Sequence, residues 1–511
     1  MSTTKRFRIP LDAAWLILGG LCFAFIGFRW STALAAWLAP LFLIRFFRNQ
    51  KRWYTTLPAL LLLILSACTK FLGFWDFPLP YQILVCVLLP GPFYFALYAD
   101  RALVRKLPSW AATLVFPAVL VGVEYLMGKI PGFGTTGAIA VSQLPIVPVI
   151  QLASVTGIWG ISFLIGWFAS AINLLWENGF EIRRSWKALL PFLACGAAVI
   201  LAGEVCAGVF KPRAGTVKVG SITIDHGTDQ VQALFDLVDE GTPRERALEF
   251  KAELATVKRE LFAWSAKAAE SGADIVFWSE ANLFVLPEEE EAFLEEARAF
   301  AARQRIYFAP AVCVMRYGRY YGDNKLVLIN PQGEIEYQYR KTKTIYDTES
   351  DGIIRSVDAP FGRLGAAICF DLDFPEFVRQ AGTSGIDLML VPAFDSRGSN
   401  PYHTYTGLFR ALENGFSMVR QASHGTSMAI DYQGQVIARQ DFFKTRVRLM
   451  LADLPGKGRR TLYAFAGDWL AWLCLVFALF ASVWATLRNR SDPATSSSWR
   501  TGRPRFPPCP G

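Results

Sequence analysis

One cysteine stands where a nucleophile could be presented to a substrate. Cys369 follows a short apolar run that predicts a strand and precedes Pro375-Glu376, a pair typical of a helix start. A thiol at such a turn can be activated by a nearby base, and the backbone N–H groups after it can stabilise an oxyanion. The alternative is a buried structural cysteine, because free cysteines are usually buried.

Two more polar residues follow apolar strands. Glu280 and Lys341 each come directly after a run of strand length. Because the ends of neighbouring strands meet at one edge of an α/β domain, we expect these two residues and Cys369 to lie together. Glu280 would then serve as general base and acid, and Cys369 would attack a carbonyl carbon. Lys341 would stabilise the oxyanion together with the N–H of Phe370.

The composition indicates a membrane protein. Of the 511 residues, 53% are hydrophobic and only 19% are charged, which is too apolar for an ordinary soluble domain. The net charge of +9 lies largely in short loops beside apolar runs, so it does not indicate nucleic-acid binding. Three His and no CxxC pair give no zinc pattern, and we expect neither a metal nor another cofactor.

The apolar runs divide the chain into a membrane part, an insert and a closing span. Residues 1–212 form the predicted N-terminal transmembrane domain, 215–462 the catalytic domain, 465–488 a C-terminal transmembrane helix and 489–511 a disordered cytoplasmic tail. The first domain holds about seven candidate spans, near residues 11–28, 30–46, 56–74, 81–98, 109–127, 152–176 and 188–210.

Lysine and arginine predict the orientation of these spans. They are concentrated at the N-terminus and in the loops after the second, fourth, sixth and last spans, and the intervening loops nearly lack them. By the positive-inside rule, both termini and these loops are cytoplasmic, so the insert faces away from the cytoplasm. The broken segment 129–149 is interpreted as re-entrant or interfacial on the outer side.

Two carboxylates lie inside apolar runs. Glu124 belongs to the fifth run and Glu204 to the seventh. An intramembrane carboxylate is a functional candidate, but both lie near the outer end of their spans and could simply reach water.

Alternating strand and helix patterns in the insert predict stacked α/β layers. We expect one long helix over residues 244–271, a continuous strand over 306–315 and a helix from Pro375. Cys313 falls in the predicted strand and is expected to be a buried free thiol.

Four segments of the insert resemble one superfamily. Trp278-Ser-Glu280, Tyr339-Arg-Lys341, Ile368-Cys-Phe-Asp-Leu-Asp-Phe-Pro375 and Arg410-Ala-Leu-Glu-Asn-Gly415 are similar, in this order, to the signature of the nitrilase (carbon-nitrogen hydrolase) superfamily. That resemblance implies an α-β-β-α sandwich. The spans around the insert, with Gln143, Gln151-Leu-Ala and Gly157-Ile-Trp-Gly160, extend the resemblance to the apolipoprotein N-acyltransferase family.

The resemblance implies a two-step acyl transfer in the bacterial inner membrane, with the catalytic domain on the periplasmic side. Cys369 would take a fatty acyl group from a phospholipid and pass it to the N-terminal amine of a diacylglyceryl-cysteine lipoprotein. We expect a monomer and no nucleic-acid partner. The family pattern also implies supporting or substrate-binding roles for Glu349, Phe370 and Asp371. Lys343 competes with Lys341 for the catalytic role, but the Tyr-x-Lys spacing favours Lys341.

Some positions depart from the family pattern. Ser279 replaces a proline, and the segments that begin at Asp225 and at Phe394-Asp395 differ on the side that receives the acceptor in the family. These departures concern the acceptor and leave the Glu, Lys and Cys positions unchanged. A membrane-tethered amidohydrolase, or an acyltransferase for another amine, is the alternative. A non-enzymatic protein that kept the fold is a third, which the intact Glu, Lys and Cys oppose.

Overall fold

The computed structural model describes residues 11–74, 78–130, 132–208, 215–225, 244–318, 322–344, 348–445 and 449–491. The first part of the described chain is helical. Its α-helices are α1 Leu11–Ala24, α2 Ala33–Asn49, α3 Leu57–Phe71, α4 Leu79–Leu88, α5 Gly91–Leu103, α6 Ser109–Gly128, α7 Val147–Ile150, α8 Ala153–Thr156, α9 Ile158–Glu177 and α10 Ile182–Gly208. A last helix, α17 Trp469–Ser491, follows the α/β domain and packs against α6.

The helices have the length and composition of membrane spans. Six helical segments in the described part of the chain are long and apolar enough to cross a bilayer: Trp53–Phe71, Leu79–Lys106, Ser109–Gly128, Ile158–Glu177, Ile182–Gly208 and Trp469–Arg488. Helices α1 and α2 are shorter, at 14 and 17 residues. Each of the eight predicted runs contains a helix. The basic N-terminus and the tail after Ser491 lie outside the described residues.

The insert is an α/β domain built on two sheets. Its helices are α11 Arg244–Glu249, α12 Lys251–Glu270, α13 Glu290–Gln304, α14 Pro375–Ser384, α15 Tyr402–Asn414 and α16 Leu462–Ala466. Its strands are β1 Thr216–Ile222, β2 Ile275–Trp278, β3 Leu283–Val285, β4 Tyr307–Ala309, β5 Ala311–Val314, β6 Asp323–Ile329, β7 Ile335–Arg340, β8 Ser356–Ala359, β9 Gly362–Ala366, β10 Leu388–Phe394, β11 Ser417–Ser423, β12 Thr426–Ile430, β13 Val436–Asp441 and β14 Leu449–Pro455.

The two sheets face each other. The first has the order β14-β1-β2-β4-β6-β5-β3, with β7 paired to β6, and the second has the order β13-β12-β11-β10-β9-β8. The hydroxyl of Ser221 on β1 donates to Gln421 Oε1 on β11 over 2.6 Å, which joins the sheets. Helices α12 and α13 bury Leu261 and Phe300 against the outer face of the first sheet, and α15 buries Leu408 with the second. The layers are therefore α-β-β-α.

The predicted elements differ from the structure in a few places. The single helix predicted over 244–271 is two helices, because the chain turns at Phe250, whose side chain packs in a small cluster with Leu254 and Leu286. The strand predicted over 306–315 is interrupted at Pro310, which has no N–H to donate to a ladder. The predicted tail starts too early, since α17 continues to Ser491.

The broken segment 129–149 lies against the α/β domain. The N–H and the hydroxyl of Thr135 both donate to the carbonyl of Asp373, over 2.8 and 3.0 Å. The N–H of Gly137 donates to the hydroxyl of Tyr402 over 3.1 Å. These bonds attach the segment to the turn that carries Cys369, four residues before Asp373.

A buried carboxylate joins the two domains as well. Glu413 of α15 accepts the N–H of Ile158, the first residue of α9, over 2.9 Å, and so caps that helix. Burial raises the pKa of Glu413 to about 7, although Arg410 and the Ile158 N–H oppose the shift.

Candidate active site

Glu280 is the most enclosed member of the predicted set. It follows β2 by two residues and is 2% exposed. Its Oε1 accepts from Lys341 Nζ over 2.6 Å and from the amide of Asn324 over 2.8 Å. Its Oε2 accepts from the N–H of Phe394 over 2.9 Å. A carboxylate removed from water requires such partners, and here they come from the ends of β7 and β10 and from β6.

The structure distinguishes Lys341 from Lys343. The Lys341 ammonium contacts Glu280 and its side chain is 13% exposed. The Lys343 ammonium lies over the rings of Phe374 and Phe377, 5.0 and 5.4 Å from their centroids. Only Lys341 of these two therefore points at the carboxylate.

Cys369 opens a short 3-10 helix, Cys369–Asp373, with a positive φ of 49°. Non-glycine residues seldom adopt this conformation, which here turns the side chain out of the path of β9. Its thiol donates to the carbonyl of Phe394 over 3.3 Å. Because the N–H of Phe394 also binds Glu280, the backbone of this one residue contacts both the thiol and the carboxylate.

The other thiol of the α/β domain has a different environment. Cys313 lies on β5, is 2% exposed and is a free cysteine, as is Cys369. Burial raises the pKa of Cys313 to about 12. The thiolate is the reactive form, so Cys313 is a poor nucleophile near neutral pH.

Asp371 is a buried carboxylate between the end of β7 and the Cys369 turn. It is fully buried, and its oxygens accept from the hydroxyl of Tyr339 over 2.6 Å and from three backbone N–H groups, those of Thr342, Lys343 and Ile368. Burial raises the pKa of Asp371 to about 6, against the effect of these donors. The carboxylate therefore fixes the end of β7 to the Cys369 turn.

The two remaining predicted residues are Glu349 and Phe370. Glu349 forms an exposed ion pair with Arg316, with bonds of 2.7 and 3.1 Å. The ring of Phe370 is half-buried, packs edge-on against Phe374 and lies 6.2 Å from the ring of His403.

His403 and its partners are functional candidates that the sequence did not reveal. Its Nδ1 lies 2.8 Å from Asp395 Oδ1 and its Nε2 lies 2.5 Å from Asp373 Oδ2. Arg420 donates to both oxygens of Asp395, over 2.8 and 2.7 Å. We call these four residues the His403 cluster. Asp395 is 3% exposed, so it is not free to select an acceptor, whereas Arg397 of the same loop is exposed.

A metal would not suit this cluster. Ligand atoms of Cys369, Asp395 and His403 lie within 4.8 Å of one another. The histidine nitrogens and the Asp395 oxygens already hydrogen-bond to each other, to Asp373 and to Arg420, so a metal would have to displace these bonds. The arrangement fits a closed hydrogen-bond network.

An apolar cavity lies beneath the site, in the helical domain. Its wall includes Gly134 and Thr135, next to Asp373, and the ring of Phe28, which stacks on Tyr402 at 5.3 Å. Glu124 also lines it and accepts the N–H of Ile139 over 3.0 Å, while Glu204 is exposed. The cavity therefore lies among the apolar helices and is bordered by Thr135, the residue that is hydrogen-bonded to the carbonyl of Asp373.

Family models match both parts of the chain. Residues 18–171 match the apolipoprotein N-acyltransferase N-terminal domain, and residues 235–459 match the carbon-nitrogen hydrolase domain. The chain belongs to the apolipoprotein N-acyltransferase family. Among its relatives are the apolipoprotein N-acyltransferases of Geobacter metallireducens and Thermotoga maritima. The first is 26% identical over 80% of this chain and 82% of the relative, the second 24% identical over 78% and 75%.

Solved structures also match part of the chain. An amidase from Nesterenkonia sp. overlaps 48% of this chain and 92% of that chain, with 18% sequence identity and a TM-score of 0.36.

We predict that the Glu280 network sets the rate at which Cys369 is acylated. Glu280→Gln should slow acylation by about 10² to 10⁴, the usual loss on removal of a general base. Lys341→Ala should slow it by at least about 10² to 10³, as for loss of an oxyanion donor. The measurement is the burst of p-nitrophenolate when the purified chain meets a p-nitrophenyl ester.

Lys343→Ala is the matched control, because the Lys343 ammonium lies over Phe374 and Phe377. This variant should have a burst rate near that of the wild type. A Lys343→Ala burst as slow as that of Lys341→Ala would contradict the assignment of Lys341.

Proposed function

We propose that this chain is a membrane acyltransferase that moves a fatty acyl group from a phospholipid, through a thioester on Cys369, to the N-terminal amine of a diacylglyceryl-cysteine lipoprotein. One observation carries the proposal. The Cys369 thiol donates to the carbonyl of Phe394, and the Glu280 carboxylate accepts from the N–H of the same residue. This contact occurs in a chain that matches both domains of the family.

In the first step, the Cys369 sulfur attacks the ester carbonyl of the phospholipid while Glu280 accepts the thiol proton. The Lys341 ammonium stabilises the oxyanion, and the N–H of Phe370 assists it. Collapse of this intermediate breaks the ester C–O bond, and Glu280 returns the proton to the departing alkoxide. The products are an acyl thioester and a lysophospholipid.

In the second step, the amine of the acceptor attacks the thioester carbonyl. Glu280 accepts a proton from the amine, the C–S bond breaks, and the proton is returned to the Cys369 sulfur. The chain then carries a free thiol again and the acceptor carries an amide. The cavity lined by Thr135 and Phe28 is the candidate site for the acyl chain, because it is mostly apolar and Thr135 binds the carbonyl of Asp373, at the end of the Cys369 turn.

We place the chain in the bacterial inner membrane with the α/β domain on the periplasmic side. The distribution of Lys and Arg supports this orientation, because the basic short loops all belong to the side opposite the insert. A phospholipid ester would then reach Cys369 from the outer leaflet.

Reporter fusions test this orientation. Alkaline phosphatase joined after Gly215 should be active, and a green fluorescent protein joined at the same point should be dark. Fusions after Arg488 should give the opposite pattern and serve as the control. A fluorescent Gly215 fusion would place the catalytic domain in the cytoplasm and contradict the proposal.

Acyl transfer itself distinguishes the proposed function from hydrolysis. The purified chain, mixed with phospholipid and a synthetic diacylated lipopeptide, should convert the lipopeptide to an N-acylated product. Release of free fatty acid at the same rate with and without lipopeptide would instead indicate an amidohydrolase-like enzyme.

The exposed loop residue Arg397, whose guanidinium lies 5.3 Å from the ring centroid of Phe443, is expected to act on the second step. Arg397→Ala should leave thioester formation unchanged and slow its transfer to the lipopeptide. Arg439→Ala is the matched control, because Arg439 is also exposed and lies over an aromatic ring, that of Tyr405. Equal slowing by both substitutions would remove Arg397 as a determinant of the acceptor.

A further inference from the structure

The hydrogen bonds of His403 define its protonation state. Both ring nitrogens face carboxylate oxygens, 2.8 Å away at Asp395 and 2.5 Å away at Asp373, and the Arg420 Nη2 atom lies farther from Nδ1, at 3.2 Å. Ionised carboxylates only accept hydrogen bonds, so with both carboxylates ionised each ring nitrogen donates to its nearer partner and the ring is an imidazolium. Burial opposes the charge, but the two carboxylates outweigh it and raise the pKa of His403 well above its ordinary value.

The His403 cluster lies beside the thiol. Asp373 ends the 3-10 helix that begins at Cys369. Asp395 follows Phe394, the residue whose carbonyl accepts the thiol hydrogen. A ring nitrogen of His403 lies within 4.8 Å of the Cys369 sulfur. The imidazolium therefore connects the nucleophile turn to the segment that positions both the thiol and Glu280.

The charges of the cluster balance only when His403 is protonated. Asp373 and Asp395 are 1% and 3% exposed, and when both are ionised they contribute two negative charges. Arg420 is fully buried and supplies one positive charge. Burial opposes the charge of Asp395, yet Arg420 and His403 lower its pKa below the ordinary value. A neutral His403 would leave a net negative charge beside a sulfur that must itself become negative.

We propose that His403 is a positioning residue for the acyl transfer, whose imidazolium neutralises the Asp373 and Asp395 pair next to Cys369 and ties the nucleophile turn to the Phe394 segment. The inference rests on the proposed function in one respect, the choice of Cys369 as nucleophile. The inference goes beyond the proposed function because it makes the reaction depend on the charge of a histidine outside the Glu-Lys-Cys set.

Thiol alkylation tests the proposal without lipid or acceptor. Iodoacetamide modification of Cys369 in the purified full chain is followed by mass spectrometry across pH. His403→Gln should slow the modification by about 10-fold or more near neutral pH and move the pH–rate profile to higher pH, because it removes a cation beside the thiolate. An unchanged profile would overturn the proposal.

Charge rescue distinguishes an electrostatic role from simple packing. In His403→Gln with Asp373→Asn, one positive and one negative charge are removed together, so the cluster is neutral again. The double variant should recover most of the lost alkylation rate, although it has fewer of the native hydrogen bonds. A double variant as slow as His403→Gln would show that the charge of His403 is not what the site needs.

Spectroscopy of the wild-type chain provides a test that does not depend on the folding of a variant. The chain has three histidines, at positions 226, 403 and 424. With ¹⁵N-labelled histidine, one ring should remain doubly protonated at about pH 8, above the ordinary titration range. His226→Gln and His424→Gln assign the other two signals. A neutral His403 ring at that pH would overturn the proposal, whatever the outcome of acyl transfer assays.

Discussion

The need to satisfy one buried carboxylate organises the catalytic end of this protein. Glu280 is almost fully removed from water, and an ionised group in such a place is costly unless it is paired and hydrogen-bonded. Its donors, Lys341, Asn324 and the N–H of Phe394, come from both sheets. These bonds therefore hold the edges of the two sheets together at Glu280. The carbonyl of Phe394 accepts the Cys369 thiol, so the thiol is held at the same place. Loss of Lys341 would leave the carboxylate charge poorly compensated, so stability and chemistry depend on one contact.

The same region is where the helical domain attaches. Thr135 binds the backbone of Asp373, whose side chain binds His403, and Gly137 binds Tyr402, the neighbour of His403. The turn that carries Cys369 is thus hydrogen-bonded on one side to a segment of the helical domain and on the other to Phe394, which also binds Glu280.

The sequence predicted the parts of the site that local pattern can reveal. Glu280 and Lys341 were identified because a charged residue directly after an apolar strand is rare, and the layered α/β fold followed from alternating patterns. The His403 cluster was missed because its members come from separate elements and only the fold brings them together. Edge strands such as β8 Ser356–Ala359 and β13 Val436–Asp441 were missed as well, since partly exposed strands lack a continuous apolar run. The sequence also indicated Asp395 as a loop residue near the acceptor, whereas the structure buries it against Arg420. Arg420 is 25 residues away in the chain, so only the fold shows this contact.

The most direct test of the account is the location of the acyl group during turnover. The full chain is mixed with phospholipid alone, quenched in acid, digested and examined by mass spectrometry. The account predicts one acyl chain on the peptide that carries Cys369, labile to hydroxylamine, and the same result in Cys313→Ser. An acyl group on Cys313, or turnover in Cys369→Ser, would contradict it.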